Sequence, residues 1–228
     1  MKRISTGPLL ALAIAGCVTL NTEVGQATFR PAPPVQPSER EAVINFVHVP
    51  GIEDMPVPLS IGYPASPVPL LFLSENLFQL WDGEGLAGFL PMGTSCVQVR
   101  VKPGKQVFLG RFVRSNAGDW AVLEGEAAAG KTYFIRVSQR WNTWKPSVQF
   151  QAMTPEELAK HPVDACRKPA AYDRSQSASA AFWDNHLAKN REAVQCAFAD
   201  LAQGKRAFYF DPVLRAANGV PPVRAPDP

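Results

Sequence analysis

Histidine is scarce in this chain, which has only His48, His161 and His186 among its 228 residues. No two of them have the spacing of metal ligands, and neither H-E-x-x-H nor G-x-S-x-G occurs. Because histidine is the usual acid and base near neutral pH, the scarcity argues against a catalytic centre, and no metal or cofactor is expected. A Ser/His set assembled from distant positions stays open as the alternative, since such sets are spatial.

Long apolar runs are also missing. The run between Pro8 and Cys17 is less than half of the ~20 residues that span a bilayer, so a transmembrane helix is excluded there. Lys2 and Arg3 precede this run, and a basic start followed by a short apolar stretch is typical of a secretory signal.

The end of the apolar run, Ile14-Ala15-Gly16-Cys17, resembles the lipobox of bacterial lipoproteins. The resemblance implies that residues 1–16 form a signal peptide and that Cys17 becomes a lipidated N-terminus carrying palmitate or a similar chain. Val18, rather than Asp, then implies sorting to the outer membrane. We expect the protein to face the periplasm, and a surface-exposed orientation is the alternative. Plain secretory cleavage after Gly16 or Ala27 is the alternative.

The apparent excess of basic residues is small. Removing Lys2 and Arg3 with the leader lowers the 23 basic residues to 21, against 20 acidic ones. A nearly neutral chain lacks the electrostatic footprint of a nucleic-acid-binding protein, so no nucleic-acid partner is expected.

Composition divides the chain into segments. Proline is enriched in residues 17–40, which predicts an extended tether. A β-sandwich is predicted for residues 41–151, a helical appendage for 152–210 and a disordered tail for 211–228.

Alternating apolar and polar residues between turn signals predict a mainly β chain, a sandwich of the immunoglobulin/fibronectin-like or transthyretin-like type. Asp82-Gly83 and Pro103-Gly104 are the turn signals, and Val97, Val99 and Val101 are expected to face the core. The predicted strands are residues 42–49, 68–73, 77–81, 95–101, 106–113, 120–126, 133–138 and 147–151.

After residue 151 the pattern becomes helical. Thr154 and Glu157 form a predicted capping box. A longer helix is predicted over residues 177–203, with Gly204 as its end. Its apolar stripe, expected to dock onto the sandwich, consists of Trp183, Leu187, Val194, Phe198 and Leu201.

Four segments combine turn glycines with strand hydrophobics: Leu77-Phe78-Gln79-Leu80-Trp81-Asp82-Gly83, Gly88-Phe89-Leu90, Val101-Lys102-Pro103-Gly104-Lys105 and Ala129-Gly130-Lys131-Thr132-Tyr133-Phe134-Ile135-Arg136. Together they are similar to an uncharacterised group of bacterial envelope lipoproteins with a single small β-sandwich. The similarity covers residues 41–151, and the Pro-rich insertion at 51–69 departs from it. It implies location, fold and a Pro-Gly hairpin, but no activity.

One motif is interpreted as a false match. Gly125, Gly130, Lys131 and Thr132 satisfy the phosphate-binding pattern G-x-x-x-x-G-K-[ST]. A phosphate-binding loop needs a helix after the lysine, whereas residues 133–137 are aromatic and β-branched and predict a strand.

The cysteines other than Cys17 raise the question of pairing. Cys196 is expected on the polar face of the long helix, and a Cys166–Cys196 disulfide is predicted because exported cysteines are usually paired. Cys96 would then be unpaired, and two free thiols at 166 and 196 are the alternative.

Two tryptophans, Trp141 and Trp144, flank a polar turn. They form a candidate platform for a sugar ring, because an indole has a flat apolar face and a polar edge. Edge packing beneath another segment is the alternative interpretation.

These observations lead to one functional expectation and one alternative. We expect a lipid-anchored, non-catalytic β-sandwich that binds or supports another envelope component, protein or glycan. The alternative is a periplasmic hydrolase with a spatially assembled Ser/His site. The sequence does not separate the first from a subunit of a secretion or pilus machine.

Overall fold

The structure, a computed structural model, describes residues 29–48, 77–91, 93–112, 120–142, 145–160, 163–175, 177–205, 213–215 and 218–220. The predicted leader with Cys17, the insertion at 51–69 and the predicted strand at 68–73 lie outside these residues.

Strands dominate the described part of the chain. They are β1 Phe29–Pro31, β2 Ala42–His48, β3 Leu77–Asp82, β4 Gly85–Pro91, β5 Ser95–Val101, β6 Gly104–Phe112, β7 Ala121–Ala127, β8 Thr132–Asn142, β9 Lys145–Ala152, β10 Ala170–Tyr172 and β11 Val213–Leu214. The helices are α1 Pro155–Lys160, a 3-10 turn Asp164–Arg167, and α2 Ser177–Ala202.

Two sheets face each other, which confirms the predicted β-sandwich with a helical appendage. Sheet I has the strand order β5-β2-β8-β9, and sheet II has the order β11-β7-β6-β3-β4. Strand β2 pairs antiparallel with β5 and parallel with β8, so its backbone is bonded on both sides. Strands β1 and β10 form a separate antiparallel pair.

The core lies between the sheets and follows from the two-residue period of the strands. On β2, Ala42, Ile44 and Phe46 point into it, and the predicted valine face of β5 packs against the same cluster. The ring centroids of Phe46 and of Phe108, which lies on the opposite sheet, are 5.1 Å apart. The core orientation predicted for Val97, Val99 and Val101 is thus confirmed.

The two turn predictions have different outcomes. Asp82 accepts hydrogen bonds from the backbone N–H groups of Glu84 and Gly85 at 2.8 and 2.9 Å, which closes the predicted β3–β4 hairpin. The Pro103-Gly104 turn joins β5 in sheet I to β6 in sheet II. It is therefore a tight connection between the sheets, and the hairpin implied there by the family resemblance is wrong.

Helix α2 docks on the outer face of sheet II, as its apolar stripe predicted. Val194 and Ala197 are buried against Trp81, Leu109 and Trp120. The helix ends before Gly204, whose φ of 70° is readily adopted by glycine.

The capping box before α1 is confirmed as well. The Glu157 N–H donates to Thr154 Oγ1 at 3.2 Å, and the Thr154 N–H donates to Glu157 Oε2 at 2.7 Å.

Short strands lie in three segments for which composition predicts none: the tether, the helical appendage and the tail. Strand β1 lies within the predicted tether, and its partner β10 lies within the predicted helical appendage. The predicted tail contributes β11, parallel to β7, and Val220, which exchanges backbone hydrogen bonds of 2.7 and 2.9 Å with Thr132. Composition misled here because short strands are stabilised by partners far away in the sequence.

Among the described residues, no helix is long and apolar enough to cross a membrane.

Candidate functional site

A cleft of about 480 Å³ lies over the outer face of sheet I. It is the strongest candidate site because polar and apolar groups from distant parts of the chain converge in it. Its lining consists of Pro34, Val35, Gln36, Asn45, Gln98, Thr132, Phe134, Leu158, Val163, Cys166, Arg167 and Val220.

The floor of the cleft is a row of three side chains on adjacent strands. Asn45 on the central strand β2 pairs in register with Gln98 on β5 and with Phe134 on β8. These residues alternate with core residues, so they belong to the outer face of the sheet. We call Gln98, Asn45 and Phe134 the floor row: two amides beside one aromatic ring.

Hydrogen bonds orient the two amides of the floor row. Gln98 Nε2 donates to Asn45 Oδ1 at 2.7 Å, and Gln98 Oε1 accepts from the Val35 N–H at 2.6 Å. Asn45 is only 1% exposed, whereas Gln98 is half-buried. These two bonds use one N–H and one lone pair of Gln98, and an amide has a second of each.

One wall of the cleft is residues 32–38, which we call the strap. The strap is fixed by the Val35–Gln98 bond, by a 2.9 Å bond from the Ala32 N–H to the Pro169 carbonyl, and by the β1–β10 pair before it. These bonds make the end of the predicted tether a structural part of the site.

A second part of the wall comes from α1 and the 3-10 turn, and a disulfide ties the turn to the sheet. The bond joins Cys96 to Cys166, so the predicted Cys166–Cys196 pairing is wrong. Cys96 lies on the outer face of sheet I beside the turn, whereas Cys196 is exposed on α2 against sheet II. The predicted exposure of Cys196 is correct, but the sandwich separates it from Cys166.

The described lining of the cleft is nearly uncharged. Among its described residues, Arg167 alone carries a charge, and Arg167 Nε lies 3.3 Å from the Asp164 carboxylate in an exposed ion pair. A neutral lining favours a neutral ligand, because a charged one would lose hydration without gaining a partner.

A second set of polar side chains lies between α2 and sheet II. We call it the Gln79 cluster, and it consists of Gln79, Trp81, Arg111, His186 and Asn190. Gln79 Oε1 accepts from Trp81 Nε1 at 2.6 Å and from His186 Nε2 at 2.8 Å, while Gln79 Nε2 donates to the Phe112 carbonyl at 3.0 Å. These bonds fix the orientation of the Gln79 amide.

Arg111 completes the Gln79 cluster. It donates to Asn190 Oδ1 and lies over the Trp120 ring, with its Cζ 4.2 Å from the centroid. Burial lowers the pKa of Arg111 to about 10, so the guanidinium stays charged at neutral pH. The cluster joins α2 to sheet II by polar contacts beside the apolar stripe.

Burial, then the charges of Arg111 and Lys189, lowers the pKa of His186 to about 4. The imidazole is therefore neutral near pH 7, and its Nε2 is committed to Gln79. His48 is also buried, with Nδ1 2.8 Å from the Gly93 carbonyl oxygen, and His161 lies outside the described residues. Within the described chain, no group of three or more His, Cys, Asp or Glu could hold a metal ion.

The glycine-lysine motif adopts the structure that the sequence predicted. Gly125 lies in β7 and Thr132 begins β8, so a strand follows Lys131 where a phosphate-binding loop needs a helix. The Ala128 N–H donates to the Tyr133 hydroxyl at 2.8 Å.

The tryptophan platform stays a prediction. Trp141 lies near the end of β8, opposite Pro146 on β9, and Trp144 lies outside the described residues.

Sequence reasoning missed the floor row. Its one signal was Asn45, a polar residue inside the apolar run Ala42–His48. Pairing of β2 with β5 and β8 had to be known before Gln98 and Phe134 could be placed beside it.

In comparisons with known proteins, no family model, no curated protein and no solved structure matches this chain.

Proposed function

We propose that this protein is a lipid-anchored, non-catalytic envelope protein that binds another envelope component in the cleft on sheet I. The observation that carries the proposal is the floor row, two oriented amides and an aromatic ring at the base of a cleft whose two walls are fixed. Sites for small ligands have this composition, mostly apolar with a few placed polar groups.

The Cys96–Cys166 bond supports the extracytoplasmic part of the proposal. Structural disulfides persist in oxidising compartments such as the bacterial periplasm and are rare in the cytosol. The proposed leader, residues 1–16 before Cys17, supplies an export route. We also propose that the protein belongs to the lipoprotein group that its sequence resembles.

The position of β1 limits the distance from the lipid to the module. Phe29 begins β1, and about 12 residues separate it from Cys17, so a fully extended connection reaches only about 40 Å. Because the strap follows β1 directly, the proposed anchor leads into one wall of the cleft. The proposed ligand site would therefore stay close to the membrane surface.

The contacts of His186 give no support to the hydrolase alternative. A catalytic histidine needs a nucleophile within hydrogen-bond reach, but the His186 ring is bonded to the Gln79 amide and its low pKa makes it a poor base. We therefore retain the binding function alone.

The anchor is tested by growing cells that express the full chain with radiolabelled palmitate. The wild type should take up label and sediment with membranes, whereas Cys17→Ser should be unlabelled. Cys196→Ser is the matched control and should be labelled like the wild type, because Cys196 is an exposed cysteine elsewhere. Unlabelled wild type, or label that persists in Cys17→Ser, would contradict the anchor.

The binding function is tested with a photo-crosslinking amino acid at Gln36, an exposed residue at the cleft. The same group at Lys189, exposed on α2, is the control. We expect a discrete adduct from position 36 that Gln98→Leu abolishes and that position 189 does not give. Identical patterns from both positions, or no adduct from 36, would contradict binding in the cleft.

A further inference from the structure

We infer that the ligand of the cleft carries an acetamido group on a neutral sugar ring, so that the site takes an N-acetylated amino sugar. The inference rests on the proposed function only in treating the cleft as a binding site. It does not depend on the lipid anchor.

The amides of the floor row match an acetamido group. Gln98 holds Asn45 with one N–H and the strap with one lone pair, and both bonds fix its plane. The other N–H and lone pair can donate to a ligand carbonyl and accept from a ligand N–H. An acetamido group presents that pair of atoms together.

The apolar part of the cleft matches the rest of such a ligand. Phe134 follows the amides along the floor row, and Val35, Leu158 and Val163 contribute aliphatic surface to the walls. An acetamido methyl and the C–H face of a sugar ring can both pack on these groups. Removing this apolar surface from water makes the binding free energy more favourable. The described lining residues carry one charge, that of Arg167, which favours an uncharged sugar.

The topology disfavours an extended peptide as the occupant. Peptides that join a sheet bond to an unpaired strand edge. The cleft instead lies over the face of sheet I, and the β2 backbone beneath it is already paired with β5 and β8. Recognition must therefore use side chains, which suits a compact ligand. The cleft volume of about 480 Å³ is in the usual range for small-molecule sites.

Calorimetric titration of the full chain, purified in detergent, with two matched oligosaccharides tests the inference. Chitotriose carries an acetamido group on each ring, and cellotriose has hydroxyls at the same positions. We expect chitotriose to bind at least about tenfold more tightly, the ratio that one lost amide contact produces. Equal affinities, tighter binding of N-acetyl-trialanine amide, or no binding of chitotriose would overturn the inference.

Variants connect the binding to the floor row. Gln98→Leu and Phe134→Leu should each weaken chitotriose binding about tenfold or more. Gln149→Leu is the matched control, since Gln149 lies on β9 and outside the cleft lining, and its affinity should be unchanged. Thermal unfolding midpoints show whether each variant is folded. If Gln98→Leu does not fold, Phe134→Leu supplies the test. Wild-type affinity in a folded Gln98→Leu or Phe134→Leu would overturn the assignment to the floor row.

The two proposals can fail separately. Cys17→Ser protein should bind chitotriose like the wild type, because it keeps the cleft. Failure of chitotriose binding with a Gln36 crosslink intact would overturn the sugar assignment alone.

Discussion

His186 and Gln79 form a buried hydrogen bond, in which Nε2 of the imidazole donates to Oε1 of the amide over 2.8 Å. Trp81 Nε1 donates to the same oxygen. One amide of sheet II thereby holds a residue of α2, and burial together with the nearby charges of Arg111 and Lys189 favours the neutral form of that imidazole.

The neutral imidazole predicts that stability depends on pH. Because the pKa of His186 falls from 6.5 to about 4 on folding, the unfolded chain binds more protons between these values. The contribution of neutral His186 is complete above pH 6.5 and is lost as the pH falls toward 4. Between these values, wild type should lose up to about 3 kcal/mol more unfolding free energy than His186→Gln. Urea denaturation at several pH values measures the unfolding free energies. The same pH dependence of unfolding free energy in wild type and His186→Gln would contradict the prediction.

The disulfide should be the main covalent contribution to stability. It closes a loop of 70 residues, so replacing both Cys96 and Cys166 by Ala should lower the unfolding free energy by about 4 kcal/mol. Cys196→Ser should change it little, since that thiol is exposed. Thermal unfolding compares the variants, and peptide mapping should find Cys196 alkylated without reduction. A Cys166–Cys196 peptide would contradict the pairing.

Arg111 and Asn190 should be energetically coupled. Asn190→Ala removes the acceptor of a buried guanidinium and should cost about 1–3 kcal/mol, because the cation loses a hydrogen bond that water cannot replace. The same substitution in an Arg111→Met background should cost less, since no buried charge is left without its acceptor. A double-mutant cycle on unfolding free energies measures the difference, and additive effects would show that the contact contributes nothing.

Gly110 should not tolerate a side chain. A Cβ there would overlap Phe150 Cζ, so Gly110→Ala forces the aromatic ring to move within the packed core. The expected loss is about 1–3 kcal/mol. Gly83→Ala is the control, because its Cβ would meet no atom within 4 Å. Similar unfolding midpoints for the two variants would refute this packing argument.

The strands that sequence reasoning predicted are those with clear alternation. β5 has the predicted bounds, β2 begins at the predicted residue, and β6 begins two residues before its predicted start. β4 was anticipated only as the second arm of the hairpin, because two glycines interrupt its alternation. β1, β10 and β11 are two or three residues long, and distant pairing rather than local pattern produces them.

The site was harder to predict than the fold. The disulfide prediction paired Cys166 with Cys196 because exported cysteines are usually paired, whereas the two faces of the sandwich decide which sulfurs meet. Asn45, Gln98 and Phe134 are adjacent only through strand pairing. Local periodicity shows that each faces outward but does not show that they share a row.

The central position of β2 has a consequence for biogenesis. Val43 pairs with Thr132, about 90 positions later, so a growing polypeptide cannot complete sheet I until most of the sandwich has been synthesised. Such long-range pairing slows folding. The strands of sheet I in a nascent chain therefore stay unpaired during most of its synthesis, and the export route proposed above would receive the chain before sheet I has formed.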